Sequence, residues 1–204
     1  GQSGGETAIL RLLCSGAQSS SPAPSTVPIH PYRGVTPRLG ERVFVAPDSH
    51  LVGDVTVGDD CSFWFGTAAR GDVHRIRLGA RTNVQDGTVL HVTYRTHPLE
   101  IGNDVVIGHS CTVHGCTVED GALIGIGARV LDGAVIEEGA QVGAGAVVTP
   151  GTRIPAGHLA LGVPARVARP LGEEERRAIA AIVERYVGLK DEYLAAGVGA
   201  GSGA

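Results

Sequence analysis

The sequence predicts a mainly β protein: a parallel β-helix built from six-residue repeats, closed by one C-terminal α-helix. Three observations predict it: a six-residue period of aliphatic anchors, thirty-one glycines in 204 residues, and only three Phe, four Tyr and one Trp to fill an interior. A sandwich or doubly wound sheet of this length packs its core with aromatic rings. Here stacked Val, Ile and Leu must take their place.

Residues 1–36, with Ser19-Ser20-Ser21, Pro22, Pro24 and Pro28, are too poor in branched apolar residues to pack an element of their own and read as a flexible tail. Residues 37–169 carry the repeat. Anchors fall at Val45, Leu51, Val57, Phe63 and Ala69, then at Leu78, Val84 and Leu90, then at Ile101, Ile107 and Val113. From Val118 they run without a break through Ile124, Val130, Ile136, Val142, Val148 and Ile154 to Ala160, making nineteen hexads. Four places after most anchors stands a small or branched residue, such as Thr82, Thr88, Cys111, Ala122 or Ala134. A helix needs spacings of three and four and a hairpin sheet alternates by two, so a period of six points to a solenoid. Each hexad is a short strand and a corner, and three hexads per turn predict about six coils.

The period breaks three times. The step is nine residues from Ala69 to Leu78, eleven from Leu90 to Ile101 and five from Val113 to Val118. Insertions in a solenoid become loops where chemistry can be placed. Residues 170–195 change character: Glu173-Glu174-Glu175 precede Ile179, Ile182, Val183, Tyr186, Leu189 and Leu194, an amphipathic helix with acidic residues in its first turn. Residues 196–204 read as a flexible end.

A net charge of -4 with scattered Lys and Arg offers no footprint for nucleic acid or an anionic membrane. No apolar run approaches the 18 to 20 residues, roughly, of a spanning helix. Cys14, Cys61, Cys111 and Cys116 have neither the density nor the spacing of a disulfide framework, which favours a reducing, cytoplasmic setting. The chain opens on Gly1 and holds no Met, so its natural start, with any targeting signal, is expected to lie upstream.

Among eight histidines, three stand out. His91 follows anchor Leu90, His109 lies two past Ile107, and His114 follows Val113, all just outside the inward row. His91 and His109 are nominally one coil apart, in a register blurred by the break after Leu90. Three imidazoles with an open fourth position make a catalytic rather than a structural metal site. Side chains leaving a convex prism diverge, so three from one chain would not meet at nitrogen–metal distances of about 2.0–2.1 Å. The site is therefore expected between subunits of a symmetric ring, three-fold because the prism has three sides.

The hexapeptide repeats, together with Arg70-Gly71-Asp72, Asn83-Val84-Gln85-Asp86-Gly87, Leu90-His91, Gly108-His109 and Val113-His114-Gly115-Cys116, resemble the gamma-class carbonic anhydrase family. The ending Lys190-Asp191-Glu192-Tyr193-Leu194 is similar to that of its bacterial homologues of uncertain activity. The resemblance spans roughly residues 38–194 and implies a left-handed parallel β-helix with a C-terminal helix, assembled as a homotrimer. It further implies that His91, His109 and His114 bind the metal, with His109 donated by the neighbouring subunit. Arg70 and Asp72 match the family's interface ion pair, Asn83 and Gln85 its polar surround, and Gln85 would orient hydroxide or bicarbonate.

The activity so implied is hydration of carbon dioxide to bicarbonate by zinc, or iron or cobalt in its place, which brings the pKa of bound water from 15.7 toward about 7. The sequence departs from the archetype in one respect. Val73 follows Asp72, and the segment Val92–Glu100 lacks the acidic residues that serve the methanogen-type enzyme as proton shuttle, leaving His74, Tyr94 and His97 as substitutes. Cys111 reads as a packing residue and Cys116 as a thiol that could approach the site. Competing functions are metal-dependent hydrolysis of another carbonyl such as a thioester, a trimeric binding or assembly module in which metal joins subunits, and a hexapeptide acyltransferase. The last needs a coenzyme A groove and one basic histidine instead of three convergent imidazoles.

Overall fold

A computed structural model describes residues 28–199. The hexads form three parallel ladders wound into a solenoid of about seven turns, with one helix, Glu173–Ala195, along one side. One ladder stacks Phe44–Val45, Ser62–Phe63, Asn83–Val84, Val106–Ile107, Leu123–Ile124 and Gln141–Val142 beneath His158–Leu161. The other two are joined through the long strands His50–Val57 and Ala68–Leu78, which turn a corner and pair on both sides of it.

Every one of the nineteen anchors is buried, none more than 5% exposed. Each stacks on the anchor one turn away, as Leu90 pairs with Val113 and Ile107 with Ile124. Full burial of such a side chain stabilises by about 1.5–3 kcal/mol, so the repeat supplies the core without rings. The small residues serve the corners. Thr82 Oγ1 donates to the Gly102 carbonyl (2.8 Å) and Thr88 Oγ1 to that of Gly108 (2.9 Å), satisfying oxygens that the turns would otherwise bury unpaired. Val73, beside an irregular step, is only partly buried.

The aromatic residues lie mainly outside the solenoid. Phe44, Trp64 and Phe65 pack against Tyr186 and Tyr193 of the helix, with Phe44–Trp64 and Trp64–Tyr193 centroids 5.0 and 5.1 Å apart. Beneath them Lys190 is fully buried, its Nζ 3.0 Å from Asp60 Oδ1. At the other end of the helix Arg169 donates two hydrogen bonds to Glu175, which also accepts the Gly172 N–H at 2.8 Å.

Two expectations are corrected. The count of about six coils is low and the boundary of the N-terminal tail is late, for one reason: Ile29–His30 pairs with Leu51–Val52, and Arg38–Leu39 with Thr56–Val57. This stretch adds a turn through backbone pairing and through Leu39, six residues before Val45, which packs partly buried against the core. The remainder of the expected tail, residues 1–27 with Cys14, lies outside the described residues, as does 200–204. Before the helix, Arg166–Pro170 forms an antiparallel strand on His158–Leu161. Residues 196–199, expected as part of a flexible end, fold back: the Val198 N–H bonds the Tyr193 carbonyl at 3.0 Å.

Candidate metal centre

The two longer interruptions of the hexad rhythm fall at one corner of the prism. There the chain enlarges a turn from 18 to 23 residues, and the enlargement decides which histidines meet. Val89–His91 pairs with Thr112–His114, placing His91 opposite His114, 23 residues on. His109, nominally one coil from His91, sits instead at the preceding corner, because the loop after His91 adds chain before the ladder resumes.

His91 Nδ1 lies 3.0 Å from His114 Nε2. The outer nitrogen of each ring faces a carboxylate: His91 Nε2 is 3.2 Å from Asp72 Oδ1, and His114 Nδ1 is 2.6 Å from Asp132 Oδ1. Burial raises both carboxyl groups, but bonds from Arg70 and His91 to Asp72, and from Thr93 and His114 to Asp132, outweigh it and hold both below the usual carboxylate range. Burial also pushes His91 below its ordinary value, against the opposing Asp72 bond, and so favours the neutral ring. In the tautomer in which each ring donates its outer N–H to its carboxylate, the two inner nitrogens present lone pairs on the same side, the arrangement a shared cation needs. The 3.0 Å separation is near the roughly 3.3 Å between two nitrogens on one tetrahedral ion, and carboxylates behind both rings are the usual support for metal-bound histidine. The donor set fits a metal.

Arg70 pairs with Asp72 within the chain. Thr93 Oγ1 donates to Asp132 Oδ2 at 2.7 Å. The other predicted residues form a second group at the neighbouring corner: His109 Nδ1 is 2.9 Å from Asp86 Oδ2, and the buried Gln85 donates through Nε2 to Asn83 Oδ1 at 3.1 Å. Asn83 Nδ2 is buried without a partner. Within one chain, among the described residues, no three His, Cys, Asp or Glu side chains gather closely enough to hold an ion.

Tyr94 is exposed, under the Arg95 guanidinium, and hydrogen-bonds to none of these groups. His97 lies over Gly115 and Gly133, close to Asp132, with Nδ1 3.0 Å from Thr96 Oγ1. His74 accepts the Arg75 N–H at 2.8 Å. Cys111 is buried as a packing residue. Cys116 is also buried, beside the His114 backbone, and burial pushes its thiol up to about 12, the opposite of a reactive thiolate. Asp132 and Thr93 had no assigned role on the sequence. Asp132 follows His114 by 18 residues, one regular turn, and that spacing was its available signal.

A family profile described as "Bacterial transferase hexapeptide (six repeats)" matches residues 115–150. Protein YrdA of Escherichia coli K12 is 45% identical over 172 residues, 81% of this chain and 94% of the relative. A carbonic anhydrase of Geobacillus kaustophilus is 43% identical over 167 residues, covering 82% and 91%. Gamma carbonic anhydrase 2, mitochondrial, of Arabidopsis thaliana is 43% identical over 159 residues, covering 76% and 57%. Among solved structures, a Bacillus cereus protein provisionally called an acetyltransferase superposes with a TM-score of 0.79 at 42% identity, covering 81% of this chain and 95% of that one.

Proposed function

The chain belongs to the hexapeptide-repeat family that contains the gamma carbonic anhydrases, and on that premise we propose that it is a metal-dependent lyase converting carbon dioxide to bicarbonate. The observation that carries the reading is the His91–His114 pair, its inner nitrogens facing each other at 3.0 Å and its outer nitrogens each on a carboxylate. In a homotrimer, His109 of the next subunit completes the ligand set, and one chain then contributes a half-site at each of two corners. Zinc, or iron or cobalt in its place, supplies when bound an acidified water as nucleophile at neutral pH.

The remaining roles belong to the chain. Asp72 and Asp132 fix the tautomer and orientation of His91 and His114. Arg70 and Thr93 hold those carboxylates in turn. Gln85 and Asn83 travel with His109 and bring amide donors to the carbon dioxide and bicarbonate oxygens, the buried Asn83 Nδ2 being free to donate. His97, beside Asp132 on the enlarged loop, is the imidazole placed to pass the proton toward solvent.

Stopped-flow hydration by metal-analysed protein, run beside His114→Ala, tests the reading. Metal-dependent turnover that disappears in the variant supports it. Full metal content without turnover removes it in favour of a thioester carbonyl as substrate, a reading that the acetyltransferase naming of the Bacillus cereus relative favours, or of metal that only joins subunits.

A further inference from the structure

Four arginines among the described residues adopt left-handed backbone: Arg33 (φ 49°), Arg42 (φ 53°), Arg81 (φ 58°) and Arg95 (φ 59°). That conformation is disfavoured for a residue with a side chain. Two of the four are corner residues tied to the next turn, Arg42 through Nε to Asp60 at 3.0 Å and Arg81 through Nε to Asp104 at 2.7 Å.

Arg33 and Arg95 differ. Neither forms an ion pair with a carboxylate among the described residues. Each instead lies over the tyrosine that precedes it, 5.2 Å from the Tyr32 centroid and 4.8 Å from that of Tyr94. Each stands at the tip of a closed turn, one fastened by Tyr32 and Val35, the other by Thr93 and His97. The two Tyr-Arg turns, remote in sequence, bring Arg33 and Arg95 to the wall of the same cavity, of about 500 Å³. Its acidic residues are already matched: Asp54 with Arg77 at 2.8 Å, and Asp72 with Arg70. Arg75, also in the wall, is matched by Glu100 at 2.8 Å. The unbalanced charge is that of Arg33 and Arg95. Tyr32, Val35 and Val73 add apolar surface.

We propose that this cavity binds a small organic acid, its carboxylate or phosphate held by Arg33 and Arg95 and its body against Tyr32, Val35 and Val73. Stacking on tyrosine pre-orients a guanidinium without neutralising it, leaving its planar fork free for an oxyanion. An inorganic anion would leave most of the space empty, whereas the volume falls within the roughly 300–1,000 Å³ of small-molecule sites. Asp72 belongs to both the cavity wall and the His91 half-site, so the acid would sit next to the metal centre without being one of its ligands. The site stands on its own geometry and does not depend on the hydration reading.

Isothermal titration of the full, metal-analysed chain tests it with benzoate, succinate and glycerol 3-phosphate, and with inorganic phosphate for size. At least one organic acid is expected to saturate a single site per chain, at least tenfold more tightly than inorganic phosphate, and the preferred probe distinguishes a carboxylate from a phosphate ester. Arg33→Ala and Arg95→Ala should each weaken it about tenfold or more, as loss of a charge-assisted bond does. Arg33→Lys and Arg95→Lys, which keep the charge and lose the fork, should fall between and stand in if an alanine variant misfolds. His114→Ala should bind unchanged. The proposal is overturned if no probe saturates, if inorganic phosphate binds as tightly, if binding survives the double arginine replacement, or if it disappears with His114, which would assign the acid to the metal.

Discussion

His91 and His114 are partners across one parallel ladder, and His91 Nδ1 lies 3.0 Å from His114 Nε2. Neighbouring turns of a parallel ladder hold equivalent side chains side by side at the strand spacing of about 4.8 Å, so two histidines in register bring their rings together without special backbone.

Asp132 makes the pair directional. Asp132→Asn keeps the shape but removes the charge behind His114, and metal affinity should fall about 10- to 100-fold, as it does when outer partners of metal-bound histidine are lost. Competition with a chromophoric chelator measures this. Thr93→Ala, which leaves the carboxylate in place, should cost less; equal losses would show that Asp132 acts only through packing.

A site divided between chains predicts complementation. His109→Ala and His114→Ala proteins, each inactive alone, should regain about a quarter of wild-type turnover when unfolded and reassembled in equal amounts, because at one interface in four an intact His91–His114 pair meets an intact His109. Mixtures that remain inactive after trimers re-form would place His109 outside the site.

Gly115 has a φ of +51°, and a Cβ there would lie 2.4 Å from Asp132 Oδ1 and 2.8 Å from His97 Cβ. Gly115→Ala should lose about 1–2 kcal/mol to the left-handed backbone and in addition weaken metal binding by displacing Asp132. Gly139 has a φ of +61°, and a methyl group there would meet nothing within 4 Å, so Gly139→Ala should show the stability loss alone. Denaturant melts and metal titrations of both variants separate the two effects.

Glu175 is lowered from its ordinary 4.5 to about 2, first by the Arg169 bonds and then by the Gly172 N–H. A carboxylate lowered on folding stabilises fully above its unfolded value, and that stabilisation is lost as pH falls from about 4.5 toward 2. Glu175→Gln should therefore melt below the wild type at pH 7, and the difference should close over that acid range. A difference independent of pH would assign the loss to the shape of the cap instead of its charge.

The core was legible because it is periodic. Each hexad repeats the same local problem, a branched anchor inward and a small corner residue, and nineteen solutions of it agree. The N-terminal turn at Ile29–His30 and Arg38–Leu39 escaped because one partly buried position, Leu39, six residues before Val45, extends the period, and the backbone pairing that supplies the rest leaves no mark on residue type. The histidines could be singled out by their place beside anchors, but their pairing could not. His91 appeared nominally one coil from His109, whereas the enlarged loop after His91 moves its partner to His114.

The amino-acid order by itself determined the solenoid, the C-terminal helix and the residue types available for a metal, since burial of a repeated apolar anchor depends on local pattern. Tertiary structure decided which of those residues meet. It set Asp132 behind His114, kept His109 at another corner with Asp86, and brought the Tyr32-Arg33 and Tyr94-Arg95 turns to one cavity. The physical reason is that register across a ladder depends on the length of chain in each turn. A few inserted residues change every pairing at that level while leaving the hexad pattern on either side intact.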